Sequence, residues 1–247
     1  MTRIMTYAVH RCVGVDGKLD TRRIAAVIGH CRPDIVALQE LDVGRARTGG
    51  VDQAHEIAAQ LGMVSHFHPA FTVEEEAYGD AILTACPVRL CRAGPLPGLP
   101  RIKQVEPRGA LWVKVDVGGV EVDIVNTHLG LVPNEQRAQA SALIGEDWLG
   151  NPDCTDPAIL LGDFNATPHH TAYRRLAARL QDVQLITGRR HLPTFPSRMP
   201  MLRIDHVFVS RSVKVTGVHT PRGALMRTAS DHLPLVVDFR VDRRLWH

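Results

Sequence analysis

The sequence is poor in lysine, in aromatic residues and in long hydrophobic segments. Among its 29 Lys and Arg residues, the only lysines are Lys18, Lys103, Lys114 and Lys214, so arginine supplies almost all positive charge. The formal net charge of +3 is too small to indicate a dedicated nucleic-acid-binding protein by itself. Apolar runs such as residues 35–38 and 158–161 are far shorter than the roughly 20 residues that a bilayer requires. We therefore expect no membrane span.

Several familiar motifs are also missing. The five cysteines are odd in number and show no CxxC spacing, so we expect reduced thiols and no cysteine zinc site. The N-terminus lacks the pattern of a secretory signal, which favours a cytoplasmic location. The sequence contains no GxxxxGK[ST], GxSxG or HExxH motif. These absences argue against nucleotide-driven phosphoryl transfer, serine hydrolases and zincins.

The composition is that of a globular protein. Hydrophobic residues make up 45% of the 247 residues and charged residues 22%. We find no internal repeat and no low-complexity linker, and we interpret the Pro- and Gly-rich stretch 94–100 as a surface loop. We therefore expect a single domain over residues 1–247.

Hydrophobic periodicity predicts alternating strands and helices. Helices are predicted after the N-cap residue Asp20, over 52–61 with Gly62 as its stop, over 134–148 and over 171–180. Strands are predicted over 4–9, 35–38, 63–67, 81–83, 110–117, 120–127, 158–161, 204–209, 213–218 and 235–239. Gly118-Gly119 marks a hairpin between two of these strands. Continuous apolar strands indicate sheets covered on both faces, and hairpins exclude a purely parallel sheet. The pattern therefore predicts a mixed α/β sandwich.

Polar side chains lie at the ends of several of these strands. They are Glu40 after 35–38, His128 after 120–127, Asp163 and Asn165 after 158–161, and Asp231-His232 before 235–239, with Asp205-His206 upstream. Each alone has a structural explanation, such as a turn, a cap or a satisfied core histidine. Together they indicate one site, because loops leaving strand ends converge on one rim of a layered fold. The oxygen-bearing side chains of Glu40, Asp163, Asn165 and Asp231 suit a hard cation such as Mg²⁺ or Mn²⁺. Carboxylates beside His128 and His232 would supply the acid and the base for attack of water on phosphorus.

The order of these motifs resembles the endonuclease/exonuclease/phosphatase superfamily. The resemblance rests on residues 6–10 (TYAVH), 33–40 (PDIVALQE), 78–83 (YGDAIL), 106–110 (EPRGA), 126–129 (NTHL), 162–165 (GDFN), 203–206 (RIDH) and 230–234 (SDHLP). Members include deoxyribonuclease I, apurinic endonucleases of the exonuclease III type, neutral sphingomyelinases and inositol polyphosphate 5-phosphatases. The resemblance implies an α/β fold of two mixed β-sheets packed face to face with flanking helices, a four-layer sandwich with a metal site at one rim.

The resemblance also implies roles for individual residues. Glu40 matches the metal-binding glutamate, and Asp231 matches the aspartate that joins the metal shell in many relatives. Asp163 matches the aspartate that orients or deprotonates the attacking water, with Asn165 holding water or a phosphate oxygen.

The histidines and one arginine complete the implied site. His128 matches the histidine that contacts the scissile phosphate, and His232 matches a base or transition-state clamp. Asp205 matches the carboxylate that fixes the tautomer of His232. Arg108 is a candidate for phosphate binding, with a structural salt bridge as the competing interpretation.

One position departs from the family pattern. Relatives usually carry Asn where this sequence has Ala8, and that amide supports the glutamate and the metal-bound water. Loss of such an outer partner typically costs about 10–100-fold in metal affinity or activity. Natural divergence, a deliberately weakened site and departure from catalysis are three explanations, and we favour an active or recently active site because the rest of the constellation is intact.

The sequence thus predicts a Mg²⁺- or Mn²⁺-dependent phosphoesterase that hydrolyses a phosphodiester by in-line attack of water. We favour a nuclease, and a lipid or small-molecule phosphoesterase is the second hypothesis. Candidate phosphate contacts are Arg45, Arg47, Arg101, Arg108, Arg189 and Arg190. Two further hypotheses are a phosphate-binding member weakened by Ala8 and a dinuclear metallophosphatase of unrelated fold. The sequence carries no signal for an oligomeric state.

Overall fold

The computed structural model describes residues 1–73, 76–99, 106–188 and 191–241. The strands are β1 (Thr2–Ala8), β2 (Ile35–Val43), β3 (Val64–Val73), β4 (Glu76–Thr84), β5 (Val88–Pro95), β6 (Gly109–Asp116), β7 (Glu121–His128), β8 (Ala158–Asp163), β9 (Gln181–Asp182), β10 (Asp205–Val209), β11 (Val213–His219) and β12 (Leu235–Val241). The helices are α1 (Thr21–Cys31), α2 (Gln53–Leu61), α3 (Pro133–Leu143), α4 (Thr171–Ala177), α5 (Val183–Ile186) and α6 (Ala224–Ala229). Short 3₁₀ turns occupy His10–Cys12 and Ala46–Thr48.

Two six-stranded mixed sheets form the centre of the molecule. The first has the order β11-β12-β1-β2-β4-β3, and the second has the order β5-β6-β7-β8-β10-β9. In each sheet one central pair is parallel, β1 with β2 and β7 with β8, and the remaining pairs are antiparallel. This mixture follows from the hairpins, which join antiparallel neighbours, and from helical crossovers, which join parallel ones.

Three apolar layers hold the four structural layers together. Ile4, Ile35, Ile124 and Ile159 belong to the core between the sheets. Residues of α1, α2 and α6 pack on the outer face of the first sheet, and residues of α3 and α4 pack on that of the second. The predicted four-layer sandwich is confirmed. No helix in the described part of the chain is both long and apolar enough to cross a bilayer.

Local signals fix several elements as predicted. The Asp20 side chain accepts hydrogen bonds from the main-chain N–H groups of Arg22 and Arg23 at the start of α1. At the end of α2, Gly62 has a φ of 65°, a left-handed conformation that glycine adopts at little cost. Capping chemistry and glycine placement therefore predicted these boundaries well.

Other predicted boundaries are wrong. The helix predicted over 134–148 ends at Leu143, and Gly145 then begins a series of turns up to residue 151. The helix predicted over 171–180 ends at Ala177. The predicted loop 94–100 begins with the last two residues of β5, a strand that the periodicity did not reveal. Also missed were β9, α5 and α6, which are too short to give a periodic signal.

Candidate active site

A β-bulge in β2 places Glu40. Leu38 pairs with Ala81 of β4, but the next pair is Leu41 with Gly79, so Gln39 and Glu40 together face Asp80. Glu40 has a φ of 65°, which is uncommon for a residue with a side chain. The carboxylate thus leaves the strand from a bend within β2, whereas the sequence predicted it at the strand's end.

Side chains from both sheets hold this bulge. Asn126 of β7 reaches across the core, and its Nδ2 donates to the carbonyl oxygens of Leu38 and Ala81, both at 2.9 Å. The Nε2 of Gln39 donates to the Oδ1 of Asn126 at 2.7 Å. The main-chain N–H of Glu40 donates to the buried Asp80 carboxylate, whose pKa burial raises to about 7. We define Gln39, Asp80 and Asn126 as the bulge lock.

The ends of β7 and β8 bring a histidine and an aspartate together. His128 and Asp163 pair in register, and the Nε2 of His128 lies 3.5 Å from the Oδ2 of Asp163. Asn165 follows with a φ of 46°, and its main-chain N–H donates to the Oδ1 of Asp163 at 2.8 Å. Its Nδ2 donates to the carbonyl oxygen of Leu129 at 3.0 Å and lies 3.1 Å from the Nε2 of His128. Asn adopts this left-handed conformation more readily than most residues with a side chain, and here its main-chain N–H reaches Asp163 while its side-chain amide reaches Leu129.

Arg108 determines the tautomer of His128. The Nη1 of Arg108 lies 3.1 Å from the Nδ1 of His128, and a guanidinium can only donate. Nδ1 is therefore an acceptor, and the proton of the neutral ring is on Nε2. Burial, together with the positive charges of Arg108 and His232, holds the pKa of His128 well below its usual value. His128 is thus a neutral donor facing Asp163, and the 3.1 Å contact between its Nε2 and the Nδ2 of Asn165 joins two donors and is not a hydrogen bond. The Nη2 of Arg108 also pairs with Glu106 at 3.3 Å.

His232 lies between two carboxylates. Its Nδ1 is 2.9 Å from the Oδ2 of Asp205, and its Nε2 is 3.7 Å from the Oδ2 of Asp163. The hydroxyl of Thr194 donates to the same oxygen of Asp205, and the ring of Phe195 lies 4.9 Å from the imidazole. Burial alone would lower the pKa of His232, but the charges of Asp205 and Asp163 raise it to about 10. The imidazolium is therefore the form that this pocket favours.

Burial has the opposite effect on the acidic groups. It raises the pKa of Asp163 to about 8, and the positive charge of His232 only partly opposes this. Burial also raises the pKa of Glu40, and the charge of Asp231 adds to that rise. Acidic groups that are crowded and buried in this way hold a cation well, because the cation relieves their mutual repulsion.

The donor set fits a divalent metal ion. One potential ligand atom from each of Glu40, His128 and Asp163 lies within 4.8 Å of the other two, and Asp163, Asp205 and His232 form a second such cluster. In the forms described above, the protonated Nε2 of His128 and the charged His232 are not metal ligands, so the carboxylate oxygens of Glu40 and Asp163 are the donors that the first cluster offers to a hard cation. Asp231 belongs to neither cluster; its Oδ1 accepts a hydrogen bond from the Ser230 hydroxyl at 3.2 Å.

The structure therefore gathers most of the predicted residues around Asp163. The remaining arginine candidates are engaged elsewhere or not described. Arg45 pairs with Glu76 at 3.2 Å, and Arg47 pairs with Asp42 at 2.6 Å. Arg101, Arg189 and Arg190 lie outside the described residues.

Sequence reasoning gave no role to several side chains that support the site. Asp80 and Asn126 lie within two of the motifs on which the family resemblance rests. Their presence in these motifs was the signal from which a role at the site could have been predicted. Thr194 and Phe195 gave no signal, because their role depends on a loop that returns to Asp205 and His232. Ala8, the residue that departs from the family pattern, is fully buried and pairs with Gln39 of β2.

The fold and this cluster define a phosphoesterase class. A sequence model of the Endonuclease/Exonuclease/phosphatase family matches residues 13–232, and the chain belongs to this family, whose members are phosphate-ester hydrolases. The chain is 25% identical over 173 residues to the Escherichia coli (strain K12) protein YbhP, a match that covers 68% of this chain and 64% of that protein. It thus spans just under two thirds of that curated relative.

Solved structures of the same family share the fold. One from Beutenbergia cavernae is 25% identical, with a TM-score of 0.75, and the match covers 97% of this chain and 71% of that chain. One from Bacteroides vulgatus is 20% identical, with a TM-score of 0.77 and coverage of 98% and 99%.

Proposed function

We propose that this protein is a Mg²⁺- or Mn²⁺-dependent phosphodiesterase that hydrolyses its substrate by in-line attack of water, without a covalent intermediate. The observation that carries the proposal is the position of Asp163. One oxygen of this buried carboxylate lies 3.5 Å from the Nε2 of His128 and 3.7 Å from the Nε2 of His232. Family membership supports phosphate-ester hydrolysis as the reaction class.

The geometry supports a division of labour among these residues. Asp163 orients the attacking water and accepts its proton. The Nε2–H of His128 and the amide of Asn165 donate to oxygens of the phosphate. His232, charged between Asp205 and Asp163, clamps the negative charge that develops in the transition state. Asp205 fixes the His232 ring through its Nδ1. Arg108 binds the substrate phosphate while orienting His128.

A divalent ion would be held by Glu40, with Asp231 as a further ligand. When bound, such an ion supplies Lewis-acid stabilisation of charge on a phosphate oxygen.

Within this class we favour a nucleic acid strand as substrate. A lipid or small-molecule phosphoester is the second candidate. Exposed apolar side chains near the site favour it: Leu131 follows His128 by three residues, and Met199 and Met201 lie in the loop between Phe195 and Asp205. A phosphate-binding protein weakened at Ala8 is the non-catalytic hypothesis.

A substrate panel with Mg²⁺, with Mn²⁺ and with EDTA tests the proposal. It includes single- and double-stranded DNA, RNA, sphingomyelin, inositol phosphates and bis(p-nitrophenyl) phosphate. We expect metal-dependent hydrolysis of a phosphodiester that is lost in Asp163→Asn and His232→Ala. Binding without turnover at every metal concentration would support the non-catalytic hypothesis instead.

A further inference from the structure

A strained turn follows β1 next to the site. His10, Arg11 and Cys12 have φ values of 47°, 57° and 59°, three consecutive left-handed residues with side chains. Such residues normally occur singly, because the Cβ crowds the backbone. Consecutive strain of this kind persists only where the surrounding structure enforces it.

Buried hydrogen bonds enforce the turn. The Nε2 of Gln53 donates to the carbonyl oxygen of Arg11 at 2.7 Å, and Gln53 is itself held by the main-chain N–H of Asp42. The N–H of Cys12 donates to the carbonyl oxygen of Val9 at 2.8 Å. The chain is thus fixed on both sides of Arg11.

The turn lies beside Glu40. Its first anchor is the N–H of Val9, which donates to the carbonyl oxygen of Gln39 at 3.0 Å. His10 also lies close enough to Glu40 to act electrostatically on its carboxylate. Of the side chains on this turn, Cys12 is buried in the core, whereas His10 lies near Glu40 and Arg11 contacts His10.

Arg11 differs from the other arginines around the site. Its Nη2 lies 2.9 Å from the Nε2 of His10, and because a guanidinium can only donate, this ring nitrogen accepts the hydrogen bond and orients the guanidinium. Within the described ranges no carboxylate lies within ion-pairing distance of Arg11. Arg47 and Arg108, by contrast, pair with Asp42 and Glu106. A half-buried guanidinium without an acidic partner has donors to offer an anionic ligand, and its planar shape suits phosphate.

We propose that Arg11, oriented by His10, binds a second phosphate of the substrate, next to the phosphate that is cleaved. This inference rests on the proposed function and narrows the substrate to a polyanionic strand of the oligonucleotide type. A lone phosphodiester would leave Arg11 without a ligand.

The test compares Arg11→Gln with wild type on a short single-stranded DNA oligonucleotide and on bis(p-nitrophenyl) phosphate, which has one phosphate. We expect KM for the oligonucleotide to rise about tenfold, with both constants for the small diester unchanged. The slope of log(kcat/KM) against log salt should become shallower by about 0.7, the value for one phosphate contact on a single strand. Arg22→Gln, at an arginine on α1 with 85% of its side chain exposed, is the matched control.

The outcomes separate this inference from the proposed function. An unchanged KM and salt slope for the oligonucleotide, or an equal loss on both substrates, overturns the role of Arg11 while metal-dependent hydrolysis stands. If wild type hydrolyses neither substrate, the proposed function fails on these substrates, and fluorescence anisotropy of the labelled oligonucleotide decides about Arg11. Weaker and less salt-dependent binding in Arg11→Gln, and also in His10→Ala, supports the subsite; equal binding refutes it.

Discussion

At the scale of single residues, the site combines His232, which favours its charged form, with Asp163, whose charged form is destabilised by burial. His232 gains its proton from the proximity of Asp205 and Asp163. Asp163 remains costly to ionise despite that neighbour, because it is buried. A pair of titratable groups with pKa values moved in this way is typical of acid–base chemistry, and it also costs folding stability.

Asp163→Asn should therefore abolish activity and stabilise the metal-free protein. The folded carboxyl titrates near pH 8 and the unfolded one near about pH 3.9, so ionisation of Asp163 reduces stability progressively between these values. We expect turnover to fall by at least about 100-fold and Tm in EDTA at pH 8 to rise by a few degrees. Thermal melts and steady-state kinetics check this, with Asp153→Asn at an exposed turn as control. A lower Tm would contradict the electrostatic explanation.

The role of residue 8 can be tested by restoring the amide. Ala8 lies on the same face of β1 as Thr6, whose hydroxyl is 3.3 Å from the Oε1 of Gln39, since side chains alternate along a strand. We expect Ala8→Asn to lower the Mg²⁺ concentration for half-maximal activity by about tenfold and to raise turnover. Ala8→Leu, which introduces a side chain of similar size without an amide, should not. Identical metal titrations for wild type and Ala8→Asn would show that the bulge lock already suffices.

At the scale of secondary structure elements, β2 is the strand on which the site depends. The bulge breaks the regular alternation of side chains along β2 and so reorients Glu40. Within the bulge lock, Asn126 donates hydrogen bonds to main-chain carbonyl oxygens beside the bulge. Asn126 satisfies two carbonyl oxygens at once. A strand of the second sheet thereby fixes a predicted metal ligand on the first.

Asn126→Ala should weaken both the fold and the metal site. Two buried carbonyl oxygens would lose their donor, at about 1–3 kcal/mol for each unsatisfied group. We expect the free energy of unfolding in urea to fall by at least about 2 kcal/mol. Mn²⁺ affinity, measured by titration without substrate, should fall about 10–100-fold. Thr6→Val removes a hydroxyl from the same buried network without touching the bulge carbonyls and should leave Mn²⁺ affinity near wild type.

These elements also show what the sequence could and could not reveal. Asp20, Asp52 and Gly62 act within a few residues along the chain, so their helix boundaries were predictable. The motifs around His128, Asp163 and His232 predicted one site, because their order is specific. The bulge at Glu40 depends on pairing with β4 and on Asn126, which is distant in sequence, and no local pattern encodes such contacts. For the same reason the roles of Asp80 and Thr194 were not foreseen.

At the scale of the whole molecule, the site lies where the two sheets meet, so its geometry depends on how each sheet is anchored. A buried network anchors the edge of the second sheet. Asp182 in β9 pairs with Arg203, accepts the hydroxyl of Tyr173 at 2.7 Å, and caps α5 through the N–H of Gln184. Burial alone would raise the pKa of Asp182, but His206, Arg203 and Tyr173 lower it to about 2.

This network should make the protein sensitive to acid over a defined range. Because the folded pKa of Asp182 lies below the unfolded value of about 3.9, its ionisation stabilises the fold above about pH 4, and this stabilisation is lost as the pH falls through about 2. Asp182→Asn should therefore lower the free energy of unfolding at pH 7 by about 2 kcal/mol, with a smaller difference from wild type at pH 3. Urea denaturation at pH 7, 4 and 3 measures both values.

The matched control for this prediction is Asp147→Asn, at an exposed aspartate that pairs with Arg92 at 2.9 Å. Solvent screens such a pair, so its loss should change stability little at any of the three pH values. A difference between Asp182→Asn and wild type that is the same at pH 7 and pH 3 would assign the effect to lost packing or capping. A difference that shrinks with falling pH would show that the charge of Asp182 holds β9, α4 and β10 together.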